Sequence, residues 1–446
     1  MQYDYNLFII GAGPGGLAAA KRAAKYGARV AIAEQHHIGG VCVNQGCISK
    51  KSMVYASDFA RLLASAGNWG WQVKHQTFDW QYFKAVRDQE VARLRERHQA
   101  ALIEAGVELI PEKAILIDPH TIHVSDRQIT AEKILLAVGG QPMQPQLPGV
   151  EYAVTSREMF GLEKLPQRIA IIGSGYIGVE FASILRAFEV EVTLLEQADT
   201  ILHGFDQEVQ QAVRSGLLQQ GIHSFCNTTV KEIAPGAAGL QLTLDGDQTQ
   251  PLTVDTVLCA IGRTPNLAGL GLEQAGVQIQ DGAVTVDAYS RTSQANIFAI
   301  GDCTNRLPLT PVARAEGHAF AETEFGNHPC HIDYTYVPSA VFCRPEAAAI
   351  GMTEADARDK YGDHAIQCHR TEFEPLFSRL DRYPGKAMLK LVLHRSTSKV
   401  LGVHVVSQDA AEMIQGIAIA IKRGITKPDF DEMIGIHPTL AEEFFH

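Results

Sequence analysis

The chain has no excess of basic residues. Its 39 Lys and Arg are outnumbered by 50 Asp and Glu, for a net charge of -11, which excludes a phosphate-tracking nucleic-acid binder. It also lacks an apolar run of membrane-spanning length: beyond the N-terminus the longest, near Ile414–Ile421, falls far short of the ~20 residues a bilayer requires. The opening MQYDYNLFII carries no basic leader and breaks at once into GAGPGG, so no signal peptide is read there. Eight cysteines in 446 residues do not make a disulfide-stapled secreted domain. These absences leave a cytoplasmic protein of a reducing compartment, off the membrane. At ~100–200 residues per domain the length implies two to four domains. The 46% hydrophobic and 20% charged content is ordinary for globular proteins and excludes disorder. What the chain has in quantity is glycine, and the placement of those glycines carries the first argument.

Residues 6–34 read as an apolar strand (7–10), then Gly11, Gly13 and Gly16, an Ala-rich helix from Gly15 to Tyr26, Gly27 at its expected end, and a strand (29–33) closing on Glu34. The unit recurs at 168–196: a strand (169–172), Gly173, Gly175 and Gly178, a helix (178–187), a strand (191–195) and Glu196. Glu34 follows Gly11 by 23 residues, and Glu196 follows Gly173 by 23. A lone GxGxxG occurs in many tight turns, but two copies with matched acidic residues point to two dinucleotide sites. Pyrophosphate binds backbone N–H groups at a helix N-terminus, and glycine permits that approach. The carboxylate accepts the ribose hydroxyls. At the second site Glu196 suits NADH and repels the extra phosphate of NADPH, and residues 197–203 contain no Arg or Lys. NADPH stays possible if Glu196 faces away and an arginine arrives from elsewhere.

The segments KILLAVGG (133–140), TVLCAIG (256–262) and IFAIGD (297–302) read as strands running into glycine. Residues 50–106 read as mostly helical, with the charged face 87–97 solvated. After about Pro329 the glycine fingerprint disappears. Strands at 337–341, 387–393 and 400–406, with helices near 353–361 and 410–423, make a separate α+β domain.

Cys42 and Cys47 sit in GGVCVNQGCISKK, just after the first unit. Such a pair can be two buried apolar thiols, a metal site, a structural disulfide or a redox dithiol. No second Cys pair at ligand spacing follows, so metal is disfavoured, and the compartment disfavours a structural disulfide. Lys50, Lys51 and a helix N-terminus would depress a thiolate pKa, and position favours the redox pair. The other six cysteines read as background. Two nucleotide sites beside a redox dithiol suggest one circuit, from nicotinamide through a flavin to a disulfide, and that circuit needs a proton donor for the departing thiolate. His437 with Glu442 five residues on, in a turn stiffened by Pro438, could supply it. In isolation a His-Pro is more often structural.

These residues resemble the pyridine-nucleotide disulfide oxidoreductases, and within them the glutathione reductases, along essentially the whole chain. The resemblance implies an α/β fold with two Rossmann-like dinucleotide-binding domains plus a C-terminal α+β dimerisation domain. Its segments would be 1–145 (FAD-binding, first part), 146–265 (NAD(P)-binding), 266–329 (FAD-binding, second part) and 330–446 (interface). It implies FAD, a glutathione-type disulfide substrate, and a homodimer whose active site is shared across the interface. Cys42 would attack the substrate and Cys47 would face the flavin. Tyr176 and Glu180, with Lys50 as the glutamate's partner, would form the nicotinamide side, and His437 and Glu442 the acid–base dyad. Gly40, Lys51, Gly139, Asp302, Thr310 and Arg263 would join the glycines at the cofactors. Lys21, Arg22 and His318 would meet the substrate.

The chain also departs from the pattern. Val41 stands where the family has threonine, removing a polar contact toward the flavin. Ser49 replaces a proline and loosens the helix start after Cys47. Arginines after the second ribose strand are missing. His318 replaces a basic residue that would pair more firmly with a carboxylate. The alternative substrate readings are dihydrolipoamide dehydrogenase, which Lys51 opposes, or a reductase of a modified glutathione such as its amide.

Overall fold

A computed structural model describes residues 2–74, 77–382 and 385–445. They gather into two compact units. One holds Met1–Ser52, Gln81–Met143 and Arg263–Asp333; the other holds Met53–Trp80, Gln144–Gly262 and Tyr334–His446.

In the first unit the strand Tyr5–Ile10 is central to a parallel sheet. Val30–Ala33 and Arg127–Leu136 flank it, with Glu108–Ile110 and Ile297–Ala299 outside them. Leu7 to Ile10 are all buried, as a strand packed on both faces must be. The antiparallel strands Thr121–Val124 and Ala114–Leu116 continue the sheet beyond Arg127–Leu136. Strand order reverses at Tyr5–Ile10, which opens a crevice at its carboxyl end, where ligands bind in such sheets. Gly11 stands there at φ +106°, and a Cβ on it would lie 2.4 Å from the Ala137 carbonyl oxygen. The helix Pro14–Lys25 follows. The helix Thr310–Glu324 lies against it so closely that a Cβ on Gly317 would come within 2.4 Å of the Gly15 carbonyl oxygen.

The second unit repeats the arrangement. Its parallel sheet runs His223–Phe225, Glu191–Leu195, Arg168–Ile172, Thr256–Cys259, Val154–Thr155, and the helix Tyr176–Ala187 starts two residues before the glycine expected to open it. A three-stranded antiparallel sheet, Thr228–Gly236, Gly239–Gly246 and Leu252–Val254, follows in sequence. The remainder is a five-stranded antiparallel sheet with the helices Glu354–Tyr361 and Ala410–Lys422. The α/β class with a C-terminal α+β portion is the one expected.

Three features depart from the sequence reading. The charged face at 87–97 is not simply solvated. Arg87 keeps only 3% of its side chain exposed, and Arg95 donates to Asn44 Oδ1 at 2.5 Å, because the helix Trp80–Glu104 turns these positions inward. Ser49 does not loosen its helix, since its buried hydroxyl donates to the Asn44 carbonyl at 3.3 Å and ties the first turn down. Finally, the apolar strand Ala387–His394 hides Lys390 at 1% exposure. Its ammonium meets Asp206 at 2.8 Å, Glu354 at 2.8 Å and Glu208 at 3.0 Å. Burial alone would lower the Lys390 pKa, but the hydrogen bonds it donates to these carboxylates outweigh it and raise it. Glu354 resists the same burial and is held at about 2 by Lys390 and Arg358.

Candidate active site

The two glycine turns are built alike. At the first, the Glu34 carboxylate accepts the backbone N–H of Ala12 at 3.0 Å and that of His36 at 2.9 Å. At the second, Glu196 accepts the N–H of Ser174 at 2.9 Å and that of Ala198 at 2.9 Å. Ser174 adds its hydroxyl to Glu196 at 2.6 Å. In both turns the last glycine is compulsory: a Cβ on Gly16 would lie 2.0 Å from the Gly11 oxygen, and one on Gly178 2.1 Å from the Gly173 oxygen. Nothing lies within 4 Å of where a Cβ on Gly175 would point, so the helix start faces open space of the kind a pyrophosphate needs.

The cysteine loop packs onto the first turn. A Cβ on Gly40 would approach the Gly13 Cα to 2.8 Å. Asn44 staples the loop, its amide donating to the carbonyls of Gly40 at 2.8 Å and Ile38 at 3.2 Å. Cys42 is half-buried, Cys47 is exposed, and both are free thiols. The Cys47 Sγ lies 3.5 Å from the Thr310 hydroxyl. A hydrogen bond from Cys42 pulls the Cys47 thiol down to about 6; burial opposes this, and Thr310 and Lys50 reinforce it. The same bond, with burial, pushes Cys42 up. Among the other cysteines, Cys303 and Cys343 are buried and pushed up to about 12 by that burial.

Further along this unit, Gly139 accepts the Asn266 N–H at 3.0 Å. The Arg263 guanidinium bonds the Gly140 carbonyl at 2.6 Å and stands 3.5 Å from Asp302. Lys50 and Lys51 occupy the first turns of the helix Cys47–Ser65.

In the second unit Tyr176 opens its helix with its side chain exposed, while Glu180, one turn later, is buried and accepts the Phe342 N–H at 2.9 Å. His437 Nδ1 lies 3.0 and 3.1 Å from the two Glu442 oxygens. The Thr439 N–H donates to Glu442 at 3.2 Å, and Thr439 Oγ1 accepts the Glu442 N–H. The carboxylate is thus braced and holds one face of an imidazole whose side chain is 82% exposed. Such a pair fixes the ring and leaves Nε2 free to exchange a proton. Among the described residues no group of three or more His, Cys, Asp or Glu is placed to hold a metal ion, and no helix is long and apolar enough to cross a membrane.

Residues 5–317 match the family described as pyridine nucleotide-disulphide oxidoreductase. The chain belongs to that family. Residues 337–446 match the family's dimerisation domain. Among similar proteins, the glutathione reductase of Nostoc sp. (strain PCC 7120 / SAG 25.82 / UTEX 2576) is 49% identical, covering 100% of this chain and 99% of the relative. The glutathione reductase of Burkholderia cepacia is 43% identical over 99% of this chain and 98% of its own. The chloroplastic/mitochondrial glutathione reductase of Pisum sativum is 40% identical over 99% of this chain and 82% of its own.

Among the residues expected to meet the substrate, the structure gives Arg22 and His318 different surroundings. Arg22 is taken up by Glu322, which also accepts the Tyr26 hydroxyl at 2.7 Å. The His318 pKa is lowered by burial and then by Arg22, Arg314 and Lys21, which pushes the ring toward its neutral form. Two residues near them had not been singled out. His98 shows the same lowering by burial, Lys21, Arg97 and Arg314, and Arg314 is common to both histidines. The signal for Arg314 was present in the helix period, four residues after Thr310 and four before His318. His98 gave none, because only tertiary packing brings the helix Trp80–Glu104 to this place.

Proposed function

We propose that the chain is a cytoplasmic, homodimeric flavoenzyme that reduces glutathione disulfide with NADH. The observation that carries this is the poised dithiol: Cys47 drawn down to about 6 by Cys42, on a loop docked against a dinucleotide turn. The residues suit FAD. The Gly11–Gly16 turn with Glu34 would hold its adenosine half, and Asp302, Thr310, Gly139, Gly40, Lys51 and Arg263 would line the rest. When bound, the flavin supplies the two-electron relay between nicotinamide and dithiol. Gly173, Gly175, Gly178 and Glu196 would hold the nicotinamide coenzyme, with Tyr176 and Glu180 at its reactive end. Glu196 favours NADH, because a braced carboxylate repels a 2′-phosphate.

Cys42, whose thiol is pushed up, gives its proton to His437 of the partner subunit and attacks one sulfur of the substrate disulfide. One glutathione departs as thiolate and takes its proton from His437 of the partner subunit, which Glu442 orients. Cys47 then attacks the mixed disulfide, releases the second glutathione and restores the Cys42–Cys47 bond. A shared site is supported by exposure next to the dyad: Ile434 and Ile436, just before His437, are 93% and 78% exposed, and apolar surface of this kind marks a partner's place. Lipoamide or glutathione amide as the disulfide is less favoured, since relatives at 38–49% identity are named glutathione reductase. Steady-state rates with NADH and NADPH, each against glutathione disulfide, its amide and lipoamide, test the reading. No turnover of glutathione disulfide with either donor would sink it.

A further inference from the structure

We propose that Arg314 is a specificity-determining residue that takes a carboxylate of the disulfide substrate. This rests on the glutathione reading above and extends it to a residue outside the expected substrate set.

Thr310, Arg314, His318 and Glu322 recur every fourth position along the helix Thr310–Glu324 and so form one stripe. At one end Thr310 touches the Cys47 sulfur at 3.5 Å. At the other end Glu322 is occupied by Arg22 and Tyr26. Arg314 lies between, one turn or ~6 Å along the axis from Thr310. It is exposed, and among the described residues no carboxylate pairs with it. Arg314 acts electrostatically on Cys42, His98 and His318, and Lys21 acts on the same two histidines. The result is a positive patch beside the cysteines in a chain of net charge -11. His318 is pushed toward its neutral form there and Arg22 is paired with Glu322, so Arg314 and Lys21 supply formal charge to this patch. The glycine carboxylate of glutathione sits one residue beyond the sulfur-bearing cysteine, a reach of roughly 7 Å. Thr310 also hydrogen-bonds the Cys42 thiol that takes the substrate, and the reach matches one helical turn from it. A guanidinium can meet the carboxylate with two parallel N–H groups, which a lysine cannot.

The test uses the FAD-loaded dimer. In Arg314→Gln, kcat/KM for glutathione disulfide should fall about 10- to 100-fold, mostly through KM, as expected for losing one charge-assisted hydrogen bond. With the disulfide of glutathione amide, whose glycine carboxylate is neutralised, the loss should stay under about threefold. Calorimetric binding of glutathione disulfide to the oxidised enzyme should weaken in parallel, and Arg314→Lys should recover part of the loss. Equal losses on the two disulfides, or no loss on glutathione disulfide, would overturn the proposal while leaving the parent reading intact. A wild-type enzyme inert to glutathione disulfide would overturn both.

Discussion

The Glu196 carboxylate accepts both the backbone N–H of Ser174, at 2.9 Å, and its hydroxyl, at 2.6 Å. One acidic side chain therefore closes the second glycine turn and sets a fixed negative charge at its rim. Glu34 does the same at the first turn through Ala12.

Replacing Glu196 by Gln keeps a hydrogen-bonding side chain and removes the charge. The ratio of kcat/KM for NADH over NADPH should drop about tenfold or more, since a bond to a charged group is worth ~1.5–3 kcal/mol. Steady-state kinetics with both donors measure it, and an unchanged ratio would mean that the ribose site lies elsewhere.

Cys47, drawn down to about 6, should be a thiolate through the neutral range. The sign follows from the depressed value: reactivity is present above pH ~6 and disappears as protons return below it. Iodoacetamide labelling of the reduced protein, followed by peptide mapping, should give that midpoint at Cys47. Thr310→Val removes one of the bonds that lower it and should move the midpoint upward.

Glu442→Gln should leave His437 in place but poorly oriented. We expect turnover with the disulfide to fall by about 10²-fold or more, while anaerobic reduction of the bound flavin by the donor proceeds at close to the original rate. Stopped-flow absorbance separates the two half-reactions, and equal slowing of both would remove the dyad from the disulfide step.

Lys390→Met leaves Asp206 and its neighbouring carboxylates facing each other without a cation. Breaking a buried pair from one side costs about 3–5 kcal/mol, read as a lower urea midpoint at pH 7. Glu354 carries the pH dependence together with Asp206, whose pKa is also lowered through Lys390. The Glu354 pKa is depressed in the fold, so its contribution is complete above the ordinary carboxylate range and is lost as pH falls toward about 2. The gap between wild type and variant should therefore narrow in acid.

The duplicated turns were legible in the sequence because glycine spacing and the terminal acid are local, and Glu34 and Glu196 repeat the same short-range bonds. The Cys42–Cys47 loop was legible for the same reason. Lys390 was not: it sits inside an apolar run, and the acids that make its burial tolerable lie 184 and 36 residues away at Asp206 and Glu354. Arg95 and Ser49 escaped too, since both are fixed by Asn44, whose position depends on how the loop closes. The capture of Arg22 by Glu322, 300 residues distant, is also a product of tertiary packing.

The missing side chain at Gly317 has one more consequence. With no room for a side chain over Gly15, the helix bearing Thr310, Arg314 and His318 lies directly on the helix bearing Lys21, and a larger residue at 317 would push the two apart. That contact sets how close the two walls of the jaw stand. Such a jaw sorts molecules by the groups they present rather than by adjusting to their bulk. Engineering it toward other disulfides is thus a matter of exchanging side chains along a rigid rail, and an alanine at 317 should blunt discrimination among substrates without touching any of them.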